Sequence, residues 1–226
     1  MASLTPQGTR WRIISILKKS GGSTVEELAS ALSLAPMTVR QHLFVLERDS
    51  VIEYTEVKKS SGRPSHLYTL TADADELFPK GYDRLAKRLL TEIGELSPTE
   101  LKLMNSDNDK LELIFNNMSD RLASFYEDKA NGPTLKERVE NVAKIFRDEE
   151  GTLSEWSETE DGFEIRDYNC PYYKLAIEDD HLCKWHTRLL TKMLKADITL
   201  EQCIASGSWR CQYKVNDIIE DTRSIR

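Results

Sequence analysis

The chain has 226 residues, 39% apolar and 31% charged, a balance that excludes a disordered, fibrous or staple-dependent miniprotein and allows one large domain or two smaller ones. The apolar stretch nearest the start, Ile13 to Leu17 around Ser15, falls far short of the ~20 residues of a spanning helix. No charged-then-apolar leader precedes it, so a cytoplasmic protein without a membrane partner is expected. The net charge of −7 hides an asymmetry, because residues 1–71 carry nine Lys or Arg against six acids while the rest carry 22 against 32. A mildly basic head on an acidic body suits a binding module joined to a domain that does not share its ligand.

Residues 10–19 place Trp11, Ile13, Ile14, Ile16 and Leu17 on one broad helical face, and Gly21-Gly22 stops that helix. Ser23-Thr24-Val25-Glu26 reads as a capping box for a short second helix whose stripe is Leu28, Ala31 and Leu32. Pro36 suits the first turn of a third helix, in which Val39, Leu43 and Leu46 recur at buried spacing. The opposite face then carries Met37, Gln41, Phe44 and Arg48, flanked by Thr38, Arg40 and Val45.

Two short helices joined by a tight turn predict a helix-turn-helix, whose second helix enters the major groove. Arg40 and Gln41, with Thr38 beside them, are the candidate DNA contacts, because guanidinium and amide groups pair two-point with guanine or adenine edges. Val51–Lys58 and Ser65–Thr71 read as strands around a turn at residues 59–64, which makes a wing. Lys58, Lys59 and Arg63 at its tip suit a phosphate backbone or a narrow minor groove. His42 reads as a packed or flanking residue.

Helices are predicted over 77–96 (Leu85, Leu89, Ile93, Leu96), 108–129 (Leu111, Ile114, Phe115, Met118, Leu122, Phe125) and 134–149. They could brace the two ends of the chain, pair two subunits, or pack only within one subunit. From residue 151 the pattern becomes α+β, with strands near 153–160, 163–168, 198–204 and 208–216 and helices over 171–178 and 183–195. The expected fold is therefore mainly α with α+β: a winged helix-turn-helix over 1–72, a helical linker or dimerisation region over 73–150, and an α+β cysteine-containing sensor domain over 151–226.

All four cysteines, Cys170, Cys183, Cys203 and Cys211, lie in the last 57 residues. A disulfide framework would need an oxidising compartment, so a metal or redox site is the leading expectation. Soft thiolates suit an iron-sulfur cluster or zinc. The 12, 19 and 7 intervening residues differ from paired Cys-x-x-Cys knuckles. His181 and His186 flank Cys183 but read as surface residues.

Val39-Arg40-Gln41-His42-Leu43, Gly62-Arg63-Pro64 with Tyr68-Thr69-Leu70-Thr71, and Leu77-Phe78-Pro79 with Tyr82 resemble bacterial winged-helix regulators of the SufR type, related to the ArsR and DeoR families. The resemblance covers residues 8 to about 90 and implies binding to double-stranded operator DNA as a homodimer, with a repressor role by analogy. That family holds a labile iron-sulfur cluster on cysteines separated by 12, 13 and 14 residues. Cys170 and Cys183 match the first pair, and Cys211 falls within one residue of the last. The third position holds Asp197, which leaves Cys203 as the substitute. Cys203 to Val215 also looks like the closing hairpin of vinyl-reductase-like sensor domains, which keeps a small hydrophobic ligand as an alternative. No Gly-x-Ser-x-Gly, His-Glu-x-x-His, phosphate loop or dinucleotide fingerprint is present, so an enzyme is not expected.

Overall fold

The computed structural model describes residues 8–57, 65–103 and 106–217, and the chain divides into two units at Phe78/Pro79. In the first unit, α1 (Thr9–Ser20), α2 (Val25–Leu32) and α3 (Pro36–Arg48) precede β1 (Ile52–Val57) and β2 (Ser65–Leu70). Gly21 ends α1 at φ 72°, a left-handed conformation open to glycine, where its N–H reaches the Leu17 carbonyl. The α2 capping box is Thr24 with Glu27, one residue later than expected: the Thr24 hydroxyl accepts from the Glu27 N–H while the Glu27 carboxylate accepts from Thr24. Ser23 is instead occupied in a backbone bridge to Tyr68, with both bonds at 2.9 Å, which ties the corner before α2 to the wing. This shift also makes Ala29, not Ala31, the buried alanine of α2.

Ile13, Ile14 and Leu17 of α1 meet Leu28 and Leu32 of α2 and Val39, Leu43 and Leu46 of α3 in a closed apolar core. Each such side chain contributes on the order of 1.5–3 kcal/mol by leaving water. The wing strands are antiparallel, with Ile52 opposite Leu70 and Val57 opposite Ser65. A 3-10 segment, Ala72–Leu77, then brings Phe78 beneath Trp11, their rings 5.8 Å apart, while Lys18 pairs with Asp75 at 3.1 Å. These contacts carry the first unit past residue 72 to residue 78, and they explain why the next helix begins later than the apolar pattern suggested.

The second unit contains α4 (Tyr82–Glu95), α5 (Pro98–Leu103), α6 (Asp107–Phe125), α7 (Glu127–Ala130) and α8 (Leu135–Asp148). They are followed by β3 (Ser154–Thr159), β4 (Gly162–Asp167), α9 (Tyr173–Ala176), α10 (His181–Leu194), β5 (Asp197–Gln202) and β6 (Cys211–Asn216). The sheet is antiparallel in the order β3-β4-β6-β5. Gly162 turns the β3–β4 hairpin at φ 149°, and a side chain there would run into the Val215 carbonyl.

The central helix is α10: Leu182, Trp185, Leu189, Leu190, Met193 and Leu194 are all buried, against α6, α8 and β5. The stripes of α6 and α8 are covered by α10 and, for α8, by β3 and β4. The helices over 79–150 therefore share one core with residues 151–217, unlike the expected division into a helical linker and a separate sensor domain. What α4 and the end of α6 leave outside that core is Leu90, Ile93 and Phe125, each more than half exposed. The fold class is as expected, mainly helical with an α+β carboxy-terminal part. No helix among the described residues is long and apolar enough to cross a membrane.

Candidate functional site

On α3, burial of Val39, Leu43 and Leu46 turns Arg40, Gln41, Phe44 and Met37 outward, and Thr38 is half-buried beside them. Phe44 and Met37 are 67% and 64% exposed, an unusual state for large apolar side chains and one that suits contact with thymine methyl groups. Arg40 reaches back to Glu26 of α2 at 3.5 Å, with both side chains about half exposed. A surface pair of that kind is worth at most about 1 kcal/mol, so Arg40 is held in place yet free to exchange partners. In the wing, Tyr54 stacks on His66 with ring centroids 4.1 Å apart. Lys58, Lys59 and Arg63 lie outside the described residues.

In the second unit, three regions of the chain, the last of them the β5–β6 connection, bring the cysteines together. Cys170 follows β4, Cys183 sits in the first turn of α10, Cys203 follows β5, and Cys211 opens β6. All four are thiols. Sγ of Cys183 and Sγ of Cys203 are 3.5 Å apart, and Sγ of Cys211 accepts the Ile204 N–H at 3.3 Å. Donation from the Cys183 and Cys211 thiols holds the Cys203 thiol below its ordinary range. The same contact with Cys203, and then burial, pushes Cys183 and Cys211 up.

Cys170, Cys183 and Cys211 also line a cavity of about 40 Å³ beneath α10, walled by Asp167, Trp185 and His186 among others. The Asp167 side chain is 3% exposed and faces the Ser154 hydroxyl and His186, while Trp185 Nε1 makes no hydrogen bond among the described residues. His186 Nε2 stands 3.6 Å from Asp167 Oδ2. Burial raises the Asp167 carboxyl and lowers the His186 imidazole, and their mutual attraction only partly offsets this. Both histidines near Cys183 are largely enclosed, contrary to the expectation of surface residues, because α10 turns this side inward: His181 bonds Asp179 at 2.6 Å and stacks on Phe115. Asp167 was missed from sequence, although its strand alternation places it on the same face as the fully buried Ile165.

A further polar network surrounds Glu150. Arg88 grips its carboxylate at 2.6 and 2.9 Å, the Tyr126 hydroxyl donates at 2.8 Å, and Arg84 approaches at 3.3 Å. The cysteine segment is fastened to the same helix, since Gly81 N–H donates to the Pro171 carbonyl at 3.1 Å and Lys174 N–H to the Tyr82 hydroxyl at 3.3 Å.

No curated protein matches the chain. Among solved structures, it is similar to two Lactococcus lactis ZitR variants, at 19% and 20% identity over 55% and 57% of this chain and 79% and 78% of theirs, with TM-scores of 0.29 and 0.28. It is also similar to Bacillus subtilis PadR in complex with operator DNA, at 14% identity over 84% of this chain and 92% of that one, with a TM-score of 0.30. Residues 7–53 match the family described as winged helix-turn-helix DNA-binding, so the amino-terminal unit carries a winged helix-turn-helix DNA-binding module.

Proposed function

We propose that this chain is a dimeric, cytoplasmic transcriptional repressor whose carboxy-terminal cysteines hold an iron-sulfur cluster and thereby report iron-sulfur or redox status. The observation that carries the reading is the convergence of Cys170, Cys183, Cys203 and Cys211, from three regions of the chain, in a chain that begins with a DNA-binding module. Thr38, Arg40 and Gln41 would meet base edges, and Lys58, Lys59 and Arg63 would meet phosphates.

The donor set fits the group. A tetrahedral zinc with Zn–S bonds of about 2.3 Å would draw its sulfurs to within about 3.8 Å of each other. The Cys183–Cys203 pair at 3.5 Å meets that spacing, but among the described residues the one set of three ligand atoms mutually within 4.8 Å is Asp179, Asp180 and His181, not the cysteines. Soft thiolate donors suit an iron-sulfur cluster, and the same donors leave zinc as the second reading. The 40 Å³ cavity is far below the ~300 Å³ that a small-molecule pocket occupies, which weighs against a hydrophobic ligand inside it.

When bound, the cluster would supply redox sensitivity and metal–sulfur links between α10, which carries Cys183, and the end of the β4-β6-β5 sheet beside which the other three cysteines lie. The chain's own residues carry the consequence outward: Pro171 and Lys174, next to Cys170, are bonded to Gly81 and Tyr82 at the start of α4. The chain passes into that helix directly from the DNA-binding unit. Leu90 and Ile93, exposed on the same helix, supply the face on which two subunits would pair.

The test is composition. Protein purified without oxygen should be coloured and contain iron and acid-labile sulfide, both lost in Cys170→Ser. Stoichiometric zinc without sulfide, or no metal at all, would overturn the cluster reading.

A further inference from the structure

We infer that Cys183 and Cys203 form a reversible disulfide when the metal-free protein meets a hydroperoxide, which makes this pair a second oxidant-responsive site. The inference deepens the sensor reading and rests on it only for the regulatory consequence, since the chemistry needs the two thiols alone.

Three features single out this pair. Their sulfurs stand 3.5 Å apart and must close by about 1.5 Å to reach a disulfide bond length. Cys183 is fixed on α10, where its carbonyl accepts the Thr187 hydroxyl, whereas Cys203 lies between strands at the start of a 3-10 turn. The carbonyl of Cys203 accepts the Ser206 and Ser208 N–H groups at 3.1 Å, so its backbone is held in that turn and the sulfurs close by side-chain rotation. Both line a broad groove open to solvent, of about 1030 Å³, with Lys184 and Arg188 but also Glu178, Asp179 and Asp180 at its wall. Cys211, whose thiol also meets Cys203, is buried, accepts the Ile204 N–H and does not line this groove, so solvent and oxidant reach the Cys183–Cys203 pair first.

The steps balance. The Cys203 sulfur gives up its proton and attacks one peroxide oxygen: an S–O bond forms, the O–O bond breaks, and the leaving hydroxide or alkoxide takes up that proton to become water or an alcohol. The Cys183 sulfur then attacks the resulting sulfenic acid: the S–S bond forms, the S–O bond breaks, and a second water leaves with the Cys183 proton. Two thiols have lost two electrons and two protons, and one hydroperoxide has become two waters, or water and an alcohol. A dithiol reductant reverses the bond.

The experiment uses the full chain, stripped of metal with a chelator under nitrogen and treated with one to a few equivalents of hydrogen peroxide before alkylation. Trypsin cutting after Arg166, Lys174, Lys184, Lys195 and Arg210 puts each of the four cysteines on its own peptide. The expected result is a fall from four free thiols to two and one linked pair, Cys183 with Cys203, with Cys170 and Cys211 alkylated and the link lost on reduction. Cys211→Ser should still form it. No loss of thiols, sulfinic acid at Cys203 without a link, or a dominant pairing through Cys170 or Cys211 would overturn the inference. Protein that binds no iron yet forms this link keeps the inference and loses the cluster reading, whereas protein that binds iron and sulfide but forms no link does the reverse.

Discussion

Gly81 donates its backbone N–H to the carbonyl of Pro171 at 3.1 Å, which joins the first turn of α4 to the residue directly after Cys170. A Cβ at Gly81 would lie 2.6 Å from the ring of Tyr172, so glycine is needed for this close approach. Gly81→Ala should displace Tyr172 and lower stability by about 1–3 kcal/mol, read as a shift in urea midpoint without a change in slope. If the junction also transmits the state of the cysteines, the same variant should keep its affinity for DNA while responding less to metal. An unchanged midpoint would show that the contact carries no strain.

The Glu150 network predicts an acid-labile second unit. Burial alone would raise this carboxyl, but the Arg88 guanidinium, helped by Tyr126 and Arg84, holds it below its ordinary value of 4.5. Because the folded value lies under the unfolded one, the stabilisation is complete above about pH 4.5 and is lost as pH falls through the folded value. Glu150→Gln should cost roughly 3–5 kcal/mol at neutral pH by leaving Arg88 buried without its charge partner, and should flatten the stability profile below pH 4.5. Urea unfolding from pH 3 to 7 checks both effects.

On α3, Arg40→Ala should weaken binding to a selected operator by about 1–3 kcal/mol and relax the preference at one base position. Phe44→Ala should be felt only where thymine supplies a methyl group, so deoxyuridine in place of thymine should reduce wild-type affinity and leave the Phe44→Ala protein unmoved. Lys59→Ala should weaken all sequences alike and reduce the salt slope by about one. Fluorescence anisotropy at several fixed salt concentrations separates the three patterns.

If two subunits pair through α4, Leu90→Asp combined with Ile93→Glu, both at exposed positions, should leave the fold intact and yield a monomer. Operator half-sites read by the dimer should lie ~34 Å or a multiple apart. Sedimentation at micromolar concentration checks this: a wild-type monomer, or a variant that remains a dimer, would rule out the face.

Much of this architecture was legible because its periodicities are strong and local. Val39, Leu43 and Leu46 define the buried side of α3, and Ile114, Phe115, Met118 and Leu122 that of α6, each at helical spacing. What the pattern could not show is which partner covers a stripe: α6 and α8 look available for a second subunit until α10, some 40–80 residues later, is seen packed on them. The cysteines stood out by their clustering, yet the 3.5 Å approach of Cys183 to Cys203 depends on where β5 ends relative to α10, a tertiary fact with no local signal. Asp167 and Glu150 were passed over because charged residues are normally solvated, and only their burial gives them meaning.

On the proposed reading, the state of the cysteine site sets the affinity of the amino-terminal unit for DNA. A switch from almost all of one state to almost all of the other needs a differential of about 5.5 kcal/mol between the two arrangements. The direct measurement is titration of one operator, at fixed salt and without oxygen, onto protein reconstituted with iron and sulfide, onto metal-free protein and onto Cys170→Ser. The reconstituted protein should bind most tightly, with the other two weaker and alike. Three superimposable curves would contradict the claim and return the cysteines to a structural role.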